Sequence, residues 1–242
     1  MTDRAAEIAA NLAEVLARID AACAKADRDP AGVRLLAVTK TFPVEDAAAL
    51  VDLGVVDLAE NREQEAGPKA EALAGLRPDA HVRWHMVGRL QRNKARSVVR
   101  WAAQVQSVDS GRLADALAKA VAAAIEAGER AEPLEVLLQA SIDGDPARGG
   151  CPLEDLPALA EQVIRSSDLH LRGIMAVAPL GTQPEVAFER LAGAAGRLRA
   201  EFPSATELSC GMSNDLEQAI DYGSTCVRVG TALLGGRGLA SP

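Results

Sequence analysis

Residues 35–60 read LLAVTKTFPVEDAAALVDLGVVDLAE, which is an apolar run, a helix-patterned segment and a second apolar run. The two runs, Leu35 to Lys40 and Val56 to Glu60, have the length and composition of buried strands, and Val44 to Leu53 between them has helical periodicity. This order is typical of parallel sheets, in which a helix connects successive strands. The same alternation continues almost to the end of the chain.

The alternation gives about eight candidate strands. They are Leu35 to Lys40, Val56 to Glu60, Val82 to Gly88, Val105 to Asp109, Leu134 to Ser141, Leu169 to Ala176, Thr206 to Gly211 and Cys226 to Gly230. Helical patterns occupy roughly residues 3–25 and later Val44 to Leu53, Gly111 to Ala127, Leu153 to Arg165 and Pro184 to Glu201. Eight parallel strands close a barrel, so the sequence predicts an α/β fold, a single (β/α)8 TIM barrel with an additional N-terminal helix. An open doubly wound sheet is the alternative, but no dinucleotide fingerprint follows the first strand.

Composition limits the classes of function. The chain has 242 residues, is 48% hydrophobic and contains no Gly/Ser-rich linker, so we expect one domain over residues 1–242. The net charge of -8 and the scattered arginines provide no basic stripe for nucleic acid. The acidic N-terminus and the lack of a long uncharged apolar stretch predict a soluble cytoplasmic protein that does not enter membranes.

Metal chemistry is not expected. The four cysteines are far apart, form no C-x-x-C pair and are predicted to be ordinary buried thiols: Cys23, Cys151, Cys210 and Cys226. His81 and His85 are four residues apart, but they lie in a predicted strand, where that spacing does not converge on a metal. We expect His85 to be a strand residue hydrogen-bonded to a backbone carbonyl.

Lys40 ends the first apolar run and is expected to be buried at the carboxyl end of a strand. A buried ammonium is either paired or shifted toward the neutral amine, which can attack a carbonyl. The alternative is a lysine that extends to water, and the position of Lys40 alone does not decide between them. The other lysines fall in polar, helix-like stretches where exposure to solvent explains them: Lys25, Lys69, Lys94 and Lys119.

Two segments after the seventh and eighth candidate strands have the features of anion sites. In residues 209–215 a glycine permits close backbone approach, and Ser213 or Asn214 can cap a following helix. Gly230 and Thr231 repeat this pattern after the last strand. Barrels commonly bind phosphate with these two loops. Together with Lys40 on the same barrel face, they suggest a phosphorylated aldehyde bound as an internal aldimine, which describes pyridoxal 5′-phosphate.

Several motifs in this chain also match a known family. They are Ala37-Val38-Thr39-Lys40, Glu60-Asn61 with Gln64-Glu65, residues 84–94, residues 209–213 with Asp215-Leu216-Glu217, and residues 227–231. In these stretches the chain resembles the pyridoxal phosphate homeostasis family (YggS/PROSC-like proteins), whose barrel is similar to the N-terminal domain of alanine racemase. The chain departs from the family pattern at Ala59, Arg62, Cys210 and Arg148.

The resemblance implies a set of cofactor-binding residues. They are Lys40, Asn61, Ser209, Met212, Ser213, Arg228, Gly230 and Thr231. It implies that Lys40 forms the aldimine and that Ser213, Gly230 and Thr231 contact the phosphate, with Ser209 and Met212 nearby. It places Arg228 beside the pyridine nitrogen and Asn61 near the ring. From the residues alone, Arg228 could instead pair with a carboxylate, and Asn61 could be a helix N-cap.

The residues favour a carrier over an enzyme. A guanidinium cannot accept the proton of the pyridine nitrogen, so Arg228 would weaken the ring as an electron sink. Tyr222 is expected in the helix before the last strand, and the chain ends soon afterwards, which leaves no second base of the kind racemases need. We expect a non-catalytic protein that buffers or delivers pyridoxal phosphate, with apo-enzymes as recipients and a monomer or weak dimer as its state. The alternatives are a low-activity racemase or lyase that uses Lys40 as base, and a sugar-phosphate barrel enzyme.

Overall fold

Eight parallel strands close into a barrel in the computed structural model, which describes residues 3–145, 149–178 and 183–236. The barrel strands are β1 Arg34–Val38, β2 Asp57–Glu60, β3 Arg83–Met86, β4 Gln104–Val108, β5 Leu134–Ser141, β7 Leu169–Met175, β8 Glu207–Ser209 and β9 Cys226–Val229. A two-residue strand, β6 Cys151–Pro152, pairs only with β5. Neighbouring strands pair in parallel, and the pairing of β4 with β5 completes the circuit.

Helices cover the outside of the barrel. They are α1 Asp3–Lys25, α2 Val44–Asp52, α3 Glu63–Leu76, α4 Ala95–Val98, α5 Gly111–Glu126, α6 Leu156–Ile164, α7 Pro184–Glu201, α8 Leu216–Asp221 and α9 Thr231–Leu234. The first of these, α1, precedes the barrel and buries Ile8, Leu12, Val15 and Ile19. These residues recur every three or four positions, so they form one apolar face, which packs on α2, α8 and α9.

The predicted barrel and N-terminal helix are confirmed, and strand β5 has the predicted bounds. Most of the other predicted strands extend one or two residues too far at their carboxyl ends. The first strand, for example, ends at Val38 rather than Lys40. At this end of the barrel the chain leaves the hydrogen-bonded ladder early, because the last residues of each predicted strand belong to the loops that form the site. Arg148, one of the departures from the family pattern, lies outside the described residues.

Six charged side chains form a closed ring at the amino-terminal mouth of the barrel, where those of Arg83 and Arg172 are 44% and 40% exposed. Acidic and basic residues alternate around it in the order Arg34, Asp57, Arg83, Glu135, Arg172 and Glu207, and every neighbouring pair lies within 3.7 Å. Arg34 on β1 reaches Glu207 on β8 although β9 lies between their strands. Such a contact is possible only through the barrel interior. The ring therefore fills one end of the barrel with ion pairs instead of the usual apolar layers.

A hydrogen-bonded chain of side chains runs from this ring toward the other end of the barrel. Gln104 Nε2 donates to Glu207 Oε2 over 3.1 Å, and Gln106 Nε2 donates to Gln104 Oε1 over 2.8 Å. Ser209 Oγ then donates to Gln106 Oε1 over 2.7 Å and accepts from Arg228 Nη1 over 2.8 Å. The side chains of this hydrogen-bonded chain thus satisfy one another.

Among the described residues, none of the helices combines the length and apolarity needed to cross a lipid bilayer.

Candidate functional site

A cavity of about 640 Å³ opens at the carboxyl end of the barrel, the end at which barrel enzymes form their sites. Loops after β1, β2, β8 and β9 contribute most of its lining. Seven of the eight residues named from the sequence line it: Lys40, Asn61, Met212, Ser213, Arg228, Gly230 and Thr231. The eighth, Ser209, is fully buried and lies behind Arg228 rather than on the cavity surface.

Lys40 lies in a turn after β1 and not at the end of the strand. It is partly buried, which corrects the expectation of a fully buried strand residue. The next residue, Thr41, adopts a φ of 67°, in the left-handed region that β-branched residues rarely occupy. Phe42 N donates to Thr39 O over 3.1 Å and closes the turn. This turn brings Lys40 to the cavity lining.

Asn61 follows β2 and lies against Gly88, a glycine in the loop after the neighbouring strand β3. A Cβ atom at Gly88 would lie 2.0 Å from the carbonyl oxygen of Asn61, so only glycine permits this approach. Asn61 is not the helix cap considered from the sequence. The helix α3 begins at Glu63, and the residue before it is Arg62.

Ser213 and Thr231 bring the last two loops together at the cavity. Ser213 Oγ accepts a hydrogen bond from the backbone N–H of Ala232, 3.3 Å away, so the two predicted anion segments are in contact. The predicted cap by Ser213 or Asn214 is wrong, because Asp215 precedes α8 and accepts from Met212 N over 2.6 Å. Ser213 therefore lines the cavity without capping a helix.

Gly211 is needed for the packing of a helix rather than for the approach of a ligand. Its φ is 90°, and a Cβ atom there would lie 2.5 Å from the Cβ of Ala219 on α8. The sequence predicted a glycine that lets a ligand come close to the backbone. In the structure this glycine lets α8 come close to the end of β8, which fixes the loop that carries Met212 and Ser213.

Arg228 is buried and held by neutral oxygens. Its Nη1 donates to the backbone oxygen of Ser209 over 2.7 Å and to the Ser209 hydroxyl, and its Nη2 donates to Ala176 O over 2.8 Å. Desolvation by burial lowers the pKa of the Arg228 guanidinium from its ordinary value. No carboxylate oxygen among the described residues forms an ion pair with it, so the alternative of a carboxylate partner is not observed. A cation on the cavity floor without an ion-pair partner is suited to an electron-rich ligand atom.

His85 differs from its predicted environment. It is fully buried, but its partners are side chains and not a backbone carbonyl: Nε2 lies 2.8 Å from Asp57 Oδ1 and Nδ1 lies 3.0 Å from Gln104 Oε1. Burial alone would raise the pKa of Asp57, but the hydrogen bond from His85, with the charges of His85, Arg34 and Arg83, outweighs it and lowers that pKa. His85 therefore belongs to the interior network below the cavity and does not line it.

Lys69 was expected on a solvated helix face, and this expectation is wrong. Its side chain is 10% exposed, and Nζ lies 2.5 Å from Oε1 of Glu60, which is fully buried. Nζ also donates to Thr39 O over 2.8 Å. The signal that could have revealed this pair was Glu60 itself, because a carboxylate at the end of an apolar strand requires a cation nearby.

Among the described residues, this cavity has neither a metal-binding cluster nor a tyrosine in its lining. His81 is exposed and lies before β3, and the described residues contain no cluster of three or more His, Cys, Asp or Glu side chains that could hold a metal. Tyr222, the one tyrosine of the chain, directly follows α8. It lines a different cavity with Thr206 and Glu207, at the opposite end of the barrel.

The described lining of the cavity combines a primary amine, a buried guanidinium, three hydroxyls, two side-chain amides and one carboxylate with apolar walls. Val38, Val87 and Met175 supply part of those walls. Hydroxyls and the amides of loop backbone bind phosphate oxygens, and an amine reacts with aldehydes. The arrangement is suited to a small, flat, phosphorylated carbonyl compound.

Comparison with known proteins assigns the family. The family model described as alanine racemase, N-terminal domain, matches residues 7–238. The pyridoxal phosphate homeostasis protein of Mycobacterium tuberculosis is 48% identical, over 99% of this chain and 96% of its own length. This chain belongs to the pyridoxal phosphate homeostasis protein family. The resemblance inferred from the motifs is confirmed.

Two solved structures have the same barrel as this member of the homeostasis family. A protein of unknown function from Bifidobacterium adolescentis superposes with a TM-score of 0.88 at 33% identity and covers 96% of both chains. PipY from Synechococcus elongatus, solved with pyridoxal phosphate bound, has a TM-score of 0.79 at 33% identity, with 94% of this chain and all of PipY covered.

Proposed function

We propose that this chain binds pyridoxal 5′-phosphate at the carboxyl end of its barrel and buffers or delivers it. The observation that carries the proposal is the meeting of seven sequence-named residues around one cavity. The family assignment and the cofactor bound in PipY support the same ligand.

The residues of the cavity fit the three parts of this cofactor. Ser213 and Thr231 supply hydroxyls for the phosphate where the last two loops meet. Arg228 on the cavity floor supplies N–H donors for an unprotonated ring nitrogen, and Asn61 lies on the ring side. The amine of Lys40 attacks the aldehyde carbon, and loss of water leaves the aldimine, which masks the reactive aldehyde.

The same residues argue for storage and against turnover. Bound pyridoxal phosphate supplies an electron sink for carbanion chemistry, and it does so best when a carboxylate keeps the ring nitrogen protonated. The Arg228 guanidinium has only N–H donors and cannot accept a hydrogen bond from a protonated ring nitrogen, so it cannot fill that role. The tyrosine that could act as an opposing base is at the other end of the barrel. Proton transfer at an amino-acid substrate would therefore depend mainly on Lys40, because the carboxylate that also lines the cavity, that of Asp215, accepts a hydrogen bond from Met212 N.

We propose the cytoplasm as the compartment and apo-enzymes that require the cofactor as recipients. The four cysteines are buried and unpaired, as is usual where thiols stay reduced. Burial raises the pKa of Cys151 to about 11 and that of Cys210 to about 12, so neither thiol competes for an aldehyde at neutral pH.

The experiment that tests this function loads the purified protein with pyridoxal phosphate and mixes it with an apo-aminotransferase. We expect aminotransferase activity to appear as cofactor leaves the barrel. The loaded protein alone, incubated at stoichiometric amounts with alanine, serine or glutamate, should give no racemisation or elimination above that of free cofactor by chiral chromatography. Sustained turnover lost in Lys40→Ala would establish the racemase or lyase alternative. A protein that binds no cofactor would favour the sugar-phosphate enzyme.

A further inference from the structure

Lys69 and Glu60 form a buried ion pair directly beneath the turn that carries Lys40. The side chain of Glu60 is fully buried, and that of Lys69 is 10% exposed. The second carboxylate oxygen, Glu60 Oε2, is buried and has no hydrogen-bond partner among the described residues. Lys69 is thus the only cation that forms an ion pair with Glu60 in the described part of the chain. An unpaired carboxylate at this depth would be costly, so the pair constrains both side chains strongly.

Both members of the pair hold Thr39, the residue before Lys40. Lys69 Nζ donates to Thr39 O over 2.8 Å, and Thr39 Oγ1 donates to Glu60 Oε1 over 2.7 Å. Thr39 N donates in turn to Ala59 O over 3.0 Å. The backbone and the side chain of Thr39 are therefore fixed by one charged cluster.

The residue after Lys40 is strained. Thr41 has a φ of 67°, a conformation that glycine adopts freely and a β-branched residue adopts only when its surroundings enforce it. The strained Thr41 lies between Thr39, which is fixed, and Phe42. The N–H of Phe42 also donates to Thr39 O. Lys40 therefore lies between Thr39, which is fixed, and Thr41, which is strained. Both neighbours determine the direction of its backbone.

We propose that Lys69 is a positioning residue for Lys40. By pairing with Glu60 and binding Thr39 O, it keeps the Thr39–Phe42 turn in its strained form and so directs the Lys40 amine to the aldehyde. The inference rests on the proposed function, because it assigns Lys69 to the same covalent step. Lys69 does not line the cavity and does not itself react.

The test measures how fast and how completely Lys40 reacts with pyridoxal phosphate. Stopped-flow absorbance gives the rate, and borohydride reduction with peptide mass mapping gives the fraction of chain modified at Lys40. The variants are Lys69→Met, Lys69→Arg and the double variant Glu60→Gln with Lys69→Met, which avoids a buried unpaired carboxylate. Lys94→Met is the matched control, because Lys94 pairs with a different carboxylate, that of Glu63, at 3.3 Å.

We expect the double variant to unfold near the wild-type temperature but to react at least about tenfold more slowly, as a misdirected nucleophile does. Lys69→Arg, which keeps a cation beside Thr39 O, should recover part of the rate, and Lys94→Met should match the wild type. A second variant keeps the test decisive if removal of Lys69 prevents folding. Thr41→Gly removes the strain without touching the ion pair and should also slow the reaction.

The outcomes separate this inference from the proposed function. If wild-type Lys40 is modified but a folded double variant and Thr41→Gly both react at the wild-type rate, Lys69 has no positioning role. If the wild type itself is not modified at Lys40, the proposed function is wrong and the positioning role falls with it.

Discussion

Arg228 shows how one side chain can serve both the barrel and its site. It lines the cavity, yet its guanidinium also ties the end of β8 to the residue after β7 through Ser209 and Ala176. Lysine is a point donor and cannot span both carbonyls as the planar guanidinium does.

We predict that Arg228→Lys lowers the free energy of unfolding by about 1–3 kcal/mol, since at least one hydrogen bond to a charged donor is lost. Urea denaturation followed by circular dichroism measures it. Arg190→Lys, at an exposed position on α7, is the control. Equal stability of Arg228→Lys and the wild type would mean that these hydrogen bonds contribute nothing net.

The hydroxyls of Ser213 and Thr231 should act on the phosphate of the cofactor and not on its ring. We predict that Ser213→Ala combined with Thr231→Ala weakens binding of pyridoxal phosphate by several kcal/mol, because each hydrogen bond to a charged group contributes about 1.5–3 kcal/mol. Absorbance titration gives the affinity. Pyridoxal, which lacks the phosphate, is the control ligand and should bind both proteins equally. A similar loss for both ligands would assign the two hydroxyls to the fold alone.

At the level of elements, the charged ring makes the stability of the strand ends at the amino-terminal end of the barrel depend on pH. Asp57 pairs with His85 at 2.8 Å and with two arginines of the ring. Its pKa in the folded protein is lower than the ordinary value of 3.8, so its carboxylate stabilises the fold above pH 3.8. That contribution disappears as the pH falls through the folded-state pKa.

We therefore predict that Asp57→Asn lowers the free energy of unfolding by about 1.5–3 kcal/mol at pH 7, with a smaller loss at acidic pH. Urea denaturation at pH 7 and at about pH 3 compares the variant with the wild type across the titration. Asp20→Asn, at an exposed position, should change neither value. A loss that is the same at both pH values would show that the charge of Asp57 is not what stabilises β2 and β3.

The elements also show which parts of the structure can be predicted from sequence patterns. Strand β5 could be bounded because Leu134–Ser141 is a mainly apolar run between Pro133 and the turn residues Asp143 and Gly144. The pattern missed α3, whose helix contains Pro68 and has little amphipathic character. It also missed the pair of Lys69 and Glu60, because a local pattern shows the face of a helix but not the strand end against which that face packs.

Long-range contacts explain the rest of what the sequence did not reveal. Arg34 and Glu207 are 173 residues apart in sequence, and nothing in either local pattern indicates that they meet inside the barrel. The site itself was more predictable. Its residues occupy the ends of successive strands, and closure of the barrel brings those ends together regardless of their separation in the chain.

For the whole molecule, the distribution of apolar surface bears on assembly. The large exposed apolar residues among the described ones are spread over several elements: Leu16, Leu53, Val56, Leu76, Ile164, Val177, Val186 and Met212. Aromatic residues, which dominate binding hot spots, make up 2% of the chain. A stable dimer would need a larger continuous apolar patch.

We predict a monomer or a weak dimer, which light scattering coupled to size exclusion would measure at several concentrations with and without pyridoxal phosphate. The mass should correspond to one chain of 25.2 kDa at low concentration. A dimer that persists below micromolar concentration would contradict this and would support a site shared between two chains.

The central claim is that Lys40 holds pyridoxal phosphate covalently in the barrel cavity. Borohydride reduction of the loaded protein, followed by digestion and mass spectrometry, tests it most directly. We predict one modified peptide, with the label on Lys40 and none on Lys69, Lys94 or Lys119, and no label in Lys40→Ala. A label on another lysine, or a protein that remains unlabelled at saturating cofactor, would contradict the account.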